Sequence, residues 1–280
     1  MNATRTSSLG PETTRGNELR RAVRLFFIGG LISYRALFNW LHPKIYIPTM
    51  LGGPLFQILF FTSVGRFSGV ESDSFFVVGN AVQVCAMASI YGMTMTIANE
   101  RYFGTLSGLL ATPANRFALF LGRAVPPIAN GLFVSAFGFA VGLTFLDFRL
   151  PASSFAPLAA IVLVTVMSCT ALGMLLGSIG LRARDVFFAS NLMYFLTLLF
   201  CGTNVPLDVL PGWMQAVGRS LPLTHGIEAA RRVAAGVPFG DVSSQVWTEL
   251  SIGVVYAVGA YVLFRVFEFE GRRRASLEAM

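Results

Sequence analysis

Six stretches of this chain are almost free of charge, and most are as long as a bilayer core is thick. They are Ile45–Val64, Phe75–Ala98, Phe117–Leu146, Phe155–Leu181, Val186–Cys201 and Val246–Phe267. A helix needs roughly 20 mainly apolar residues to cross ~30 Å of hydrocarbon. The shortest run, Val186–Cys201, reaches that length only if it continues toward Val205. The runs are continuously apolar, which favours helices over a barrel, whose strands would alternate. Composition agrees: the chain is 54% hydrophobic and 12% charged, with 26 Phe and only one lysine, Lys44. Such a chain has too few polar groups to cover a soluble surface. The expected fold class is an all-α integral membrane protein with six transmembrane helices.

The basic residues orient it. With both termini cytoplasmic, the segments outside hold Arg66, Arg149, Arg219, Arg231 and Arg232, and all the others of the 21 Lys and Arg fall inside. That asymmetry fits the positive-inside rule, and an even number of spans puts the termini on one side. The polar stretch of about forty residues before the first run is the wrong arrangement for a cleaved leader.

Residues 1–16, rich in Ser and Thr, lack apolar periodicity and read as a disordered tail. From 17 to 41 the pattern is amphipathic, with Arg20, Arg24, Arg35, Asn39 and His42 close to one helical face. The expectation is a helix lying on the cytoplasmic interface and ended by Pro43; the alternative is an extension of a long first span. Residues 17–270 then form a single membrane domain, and 271–280 a basic cytoplasmic tail. Within the spans, Gly138-x-x-x-Gly142 and Gly173-x-x-x-Gly177 each put two glycines on one face, a packing feature. The three cysteines, Cys85, Cys169 and Cys201, have no metal-ligand spacing and read as small packing residues.

No ionisable residue lies near the middle of a run; Arg123 and Glu249 sit near run ends, within reach of the interface. Proton- or sodium-driven carriers and intramembrane hydrolases need such groups at depth. The polar groups at depth are Asn80, Gln83, Thr94, Asn130, Thr165, Ser168, Thr170 and Asn191. They either satisfy one another across helices or line a substrate path, for which Asn80, Gln83, Asn130 and Asn191 are the candidates. A membrane enzyme is disfavoured, because His42 and His225 fall on opposite sides of the membrane. Beyond the fifth run, residues 202–236 are too apolar for a solvated loop and too broken by proline for a span. A short helix over Pro211–Ser220, with Trp213 at headgroup level, would suit a segment dipping into the outer leaflet; an ordinary structured loop is the alternative.

A transporter with no ion relay draws its energy from elsewhere. A phosphate-binding loop needs glycines followed by Lys and Ser or Thr, and the only lysine lies in "HPKIY". The motor, if ATP drives the protein, is a separate polypeptide. The segment "ERYFGTLSGLLATP" between the second and third runs resembles the cytoplasmic loop of permeases of type-2 ATP-binding-cassette (ABC) exporters. Glu100, Arg101, Gly104, Thr105, Leu106, Leu109, Leu110, Thr112 and Pro113 carry that resemblance. "NVPLDVLPGWM" and "LPLTHGIEAAR" are similar to the family's outer re-entrant hairpin, through Pro206, Pro211, Trp213, Leu221, Pro222 and His225. Ser107 departs from the family, where an acidic residue is common, which puts in doubt a salt bridge to the ATPase there.

The resemblance implies a coupling helix seated on an ABC ATPase subunit, a second permease copy or a homologue completing the path, and surrounding membrane lipids. It implies no nucleic-acid partner. ATP and Mg would be bound by the partner ATPase and no cofactor by this chain, which has no catalytic residue. It further implies a bacterial plasma membrane, and a drug or natural product, a lipid or a lipid-linked glycan as cargo. Independently, Leu106, Leu109 and Leu110 form one apolar face on about two helical turns, too short to be stable without a docking surface. That surface is the ATPase or, in the alternative, the lipid headgroups. A motor-independent channel or scaffold is the competing function. With the cysteines replaced, Gln215→Cys is expected to react with an impermeant maleimide from outside; reaction from the inside alone would overturn the topology.

Overall fold

The computed structural model describes residues 43–69, 71–102, 121–180 and 186–278. The expected interfacial helix at 17–41 lies outside these residues, as does the disordered tail. All regular structure among the described residues is helical. Helix α1 spans Pro43–Ser68, and α2 spans Asp73–Ala86. A π-helical turn, Met87–Tyr91, joins α2 to α3, Gly92–Tyr102. Then come α4 (Val125–Phe145), α5 (Phe155–Gly180) and α6 (Val186–Phe200). Two short helices follow, α7 (Gly212–Ser220) and α8 (Thr224–Ala234), and the long α9 (Ser243–Glu278) closes the described chain.

Each of the six apolar runs falls in a helix among the described residues, and the last helix outruns its expected limit, continuing from Phe267 to Glu278. Among the described residues, four helical stretches are long and apolar enough to cross a membrane: Asp73–Asn99, Leu121–Phe145, Ala152–Gly180 and Phe239–Val266. Helix α1 has the length, with 26 residues, but carries Pro48 and Pro54 inside it. Helix α6 has 15 residues, about 22 Å at ~1.5 Å per residue, and does not run on toward Val205. It stops because Gly202 takes a left-handed backbone (φ +73°), the conformation in which glycine ends helices. The expected helix at 211–220 is present as α7.

The long rod α2–α3 and helix α5 form the centre of the bundle. α4 packs on α2, α9 and α3 on α5, and α8 fits against α2, α5 and α9. The main core joins Ile58, Val77, Ala81, Ile161, Val166, Leu172 and Ile227. Phe56, Phe60, Phe187, Phe188 and Phe195, on α1 and α6, point outward and are more than half exposed, an outer surface suited to acyl chains or another membrane helix.

Both glycine pairs are packing seams. A Cβ on Gly138 would stand 3.0 Å from Ala81 Cα, and one on Gly142 would collide with Val77. On α5, a Cβ on Gly173 would lie 2.5 Å from the Ile90 carbonyl oxygen, and one on Gly177 2.6 Å from Ile97 Cδ1. Small residues thus let α2–α3 approach both neighbours at backbone distance. The Thr94 hydroxyl reinforces one seam, standing 2.7 Å from Ile90 O and 3.0 Å from Gly173 O. Gly173→Ala is therefore expected to lower stability by about 1–3 kcal/mol, because the atom it meets is backbone and cannot retreat. Gly52→Ala, with nothing within 4 Å of its Cβ, is expected to be neutral or better; thermal unfolding of the purified protein compares them.

Candidate functional site

The polar residues at depth resolve into two groups. Most hydroxyls return to their own helix: Thr165 bonds Ile161 O and Thr170 bonds Val166 O, four residues back. Ser135 and Ser168 instead reach across, to Ala81 O and Glu249 O. Asn191 donates to Phe187 O at 2.9 Å and so stays on α6.

Asn80 and Gln83, on one face of α2, enter a network between α1, α6 and the segment after α6. Gln57 Nε2 donates to Asn80 Oδ1 at 3.1 Å, and Asn80 Nδ2 donates to Asn204 Oδ1 at 2.7 Å. Tyr194 Oη donates to Gln57 Oε1 at 2.8 Å. One turn on, Gln83 Nε2 donates to Thr197 Oγ1 at 3.3 Å, and Thr203 Oγ1 donates to Gln83 Oε1 at 3.2 Å. Asn80, Gln83, Thr197 and Thr203 are fully buried. Asn130, half-buried on α4, is not a member. Sequence reasoning passed over Gln57, Tyr194, Thr197, Thr203 and Asn204. Gln57 was visible as the one amide in the apolar run of α1, and Tyr194 as the one hydroxyl-bearing ring in α6.

Two buried ionisable side chains, Glu249 and Arg231, hold the segment between α6 and α9. Glu249, near the start of α9, is 1% exposed. It does not reach the interface, as its place near a run end suggested. It turns inward, accepting from the Leu223 amide at 2.8 Å and the Gly226 amide at 3.2 Å. These are amides at the first turn of α8, which have no carbonyl partner within the helix. Negative charge is also favoured at that end of the helix dipole. Leu223 holds the turn with a left-handed backbone (φ +97°) although it is not glycine, which costs about 1–3 kcal/mol.

At the other end of α8, Arg231 donates to Gly202 O (2.8 Å), Thr203 O (2.7 Å) and Phe75 O (3.1 and 3.2 Å). Its guanidinium also lies over the Phe75 ring, 3.4 Å from the centroid. Burial pushes its pKa down to about 9, while Glu71 and Glu228 pull it back up. It therefore keeps its charge at neutral pH.

The hairpin residues named from sequence are spread over this frame. Pro206 and Pro211 stand at the starts of a short 3₁₀ turn and of α7. Trp213 is 63% exposed and meets Phe200 edge-on. Leu221 and Pro222 are buried, and the Pro222 carbonyl accepts from Cys201 Sγ. His225 Nε2 lies 3.3 Å from Arg219 O. A cavity of about 770 Å³ opens beside α8, between the ends of α1, α2 and α4, with Arg66, Glu71, Asp73, Asp147 and Arg231 on its wall.

Of the segment that resembles a coupling loop, Glu100 and Arg101 lie in the last turn of α3. Gly104, Thr105, Leu106, Leu109, Leu110, Thr112 and Pro113 lie outside the described residues.

Residues 30–234 match the family model described as ABC-2 type transporter. The chain belongs to that family. Several of its relatives are named as permeases. It is 25% identical to the probable doxorubicin resistance ABC transporter permease protein DrrC of Mycobacterium tuberculosis, over 92% of this chain and 95% of that one. It is 23% identical to the daunorubicin resistance ABC transporter permease protein DrrB1 of Streptomyces coeruleorubidus, over 83% and 84%. With the probable multidrug ABC transporter permease YbhR of Escherichia coli it shares 24% identity over 68% of this chain. There the chain spans about half the length of its relative, 52%.

Glu249→Ala is expected to cost about 3 kcal/mol or more, since it leaves two buried amides without an acceptor. Unfolding temperature and protease cutting within 221–235 measure it.

Proposed function

We propose that this chain is the membrane subunit of an ATP-driven exporter, working beside a second copy or a homologue and powered by separate ATPase subunits. The observation that carries the reading is the rod α2–α3. It ends at Tyr102, next to the Gly-Thr-Leu segment that resembles a coupling helix. At its other half it presents Asn80 and Gln83 to α1 and α6. A push at the cytoplasmic end is thereby connected to the polar network through one element, the rigid-lever arrangement by which paired states are switched. ATP binding at the partner supplies the differential energy.

The path is the network of Gln57, Asn80, Gln83, Tyr194, Thr197, Thr203 and Asn204, opening onto the aromatic faces of α1 and α6. Neutral amides and hydroxyls set in apolar walls suit an amphipathic drug or natural product, in keeping with relatives named for doxorubicin and daunorubicin resistance. Lipids and lipid-linked glycans are the other cargoes such walls would accept. Helices α1 and α6 complete six spans in a plasma membrane, both termini cytoplasmic, with residues 202–236 outside and α7 in the outer leaflet.

Leu106→Asp or Leu109→Asp is expected to abolish co-purification of the ATPase subunit, because a carboxylate buried there without a partner costs several kcal/mol. Gly104→Pro is expected to impair it as well. Asn80→Ala and Gln83→Ala are expected to keep the ATPase bound and to change which compounds stimulate hydrolysis. Full association and transport in both Leu→Asp variants would overturn the coupling role, and robust ATP hydrolysis by the lone permease would overturn the division of labour.

A further inference from the structure

Gly202, Thr203 and Asn204 belong to no helix. Gly202 leaves α6 through its left-handed backbone, and the next two residues hang their side chains on Gln83 and Asn80. The carbonyls of Gly202 and Thr203 are taken by one side chain, Arg231, which also bonds the Phe75 carbonyl at the start of α2. One guanidinium thus fastens the segment after α6 to α2 and α8.

Two further observations mark this fastening as built to release. Gly79 lies beside the bond: a Cβ there would collide with Arg231 Nη2 and stand 2.6 Å from Thr203 O, so α2 passes it with room for a hydrogen only. In addition, a full charge here is bonded to neutral carbonyls while carboxylates stand within electrostatic range, Glu71 first and Glu228 after it. Glu71 and Arg231 line the same cavity, which puts a carboxylate, a stronger acceptor than a carbonyl, on a wall it shares with the guanidinium.

We infer that Arg231 is the catch of an outward gate: seated on the Gly202 and Thr203 carbonyls it holds segment 202–204 over the polar network, and swung to Glu71 it releases that segment. The inference rests on reading the network as the transport path. Arg231 is on this account a positioning residue that acts through Thr203 and Asn204, without touching cargo. Two alternative seats for one group give a bistable element of the kind that switches between states.

Hydrogen–deuterium exchange on the purified full chain tests it, with no ATPase present, so failure of the coupling reading would not affect the result. Arg231→Gln and Gly79→Ala are expected to speed exchange in 201–206 by about ten-fold, the change expected from losing one charge-assisted hydrogen bond. Arg231→Lys should fall between, and exchange in α5 should stay as in the parent. Glu71→Gln, an exposed substitution that removes the second seat, is expected to slow exchange in 201–206 by about two- to five-fold. That opposite sign would not arise if Arg231 were a fixed strut. Unchanged or faster exchange in Glu71→Gln overturns the proposal, and so does unchanged exchange in Gly79→Ala. If Arg231→Gln fails to fold, these two variants decide alone.

Discussion

The end of the bundle that holds α7 and α8 is organised by the carboxyl group of Glu249, held 1% exposed against the first turn of α8. In an apolar surround every backbone amide needs an acceptor, because no water is at hand to supply one. A helix of eleven residues that starts inside the bundle therefore depends on what meets its N-terminus. With Glu249 in place, α8 has a fixed origin, Leu223 is held in a backbone form it would not choose, and Arg231 arrives two turns later beside Phe75 and Gly202. Ser168 adds the cross-tie from α5 to the Glu249 carbonyl, 2.8 Å away. α5, α8 and α9 are thus joined through one residue, and the segment between α6 and α7 is fitted to them.

The network on α2 has another character. Its members are amides, hydroxyls and one phenol, each able to donate and accept. Neutral partners of this kind can exchange bonds with one another or with a guest at little electrostatic cost, whereas a buried ion pair loses heavily when one partner leaves. On the proposed reading of the network as a transport path, such a surface can hold cargo and then let it go. The ionisable side chains that do lie inward, Glu249 and Arg231, bond backbone amides and carbonyls, and Arg231 meets the network only through the Thr203 carbonyl.

How much of this was legible in the sequence follows from which forces act along the chain and which across it. The helices were readable because burial in an apolar medium demands long unbroken runs, and length marks the four longest of them, while α1 with its prolines and the short α6 fall outside that mark. The start of α7 was readable from Pro211, which cannot continue a preceding helix but opens one well. The glycine pairs were readable as seams because their spacing is local. Glu249 was misjudged: its position near the end of a run says that water is close, but only the fold says that α8 lies closer. Arg231 looked like one more outer charge for the same reason. Of the site, Asn80 and Gln83 were found as amides in an apolar run. Their partners Thr203 and Asn204 come from a bend that no periodicity describes, more than a hundred residues away. The segment from Glu100 to Pro113 was singled out by its motif alone, and its residues from Gly104 on lie outside those described.

The π turn at Met87–Tyr91 bears on how relatives of this chain are to be compared. One extra residue in a helix turns everything after it by about 100°. Helices α2 and α3 therefore share an axis but not a phase, and the stripe of α2 that carries Asn80 and Gln83 does not continue down the stripe of α3 that carries Met93 and Ile97. In a relative with a regular helix and one residue fewer, the cytoplasmic ends would superpose while their numbering slipped. The insertion would then register as an alignment gap in the middle of a span, where gaps are usually taken for errors. Such a gap between Ala86 and Gly92 would be the trace of a different helical register, and so of a different face presented by α3.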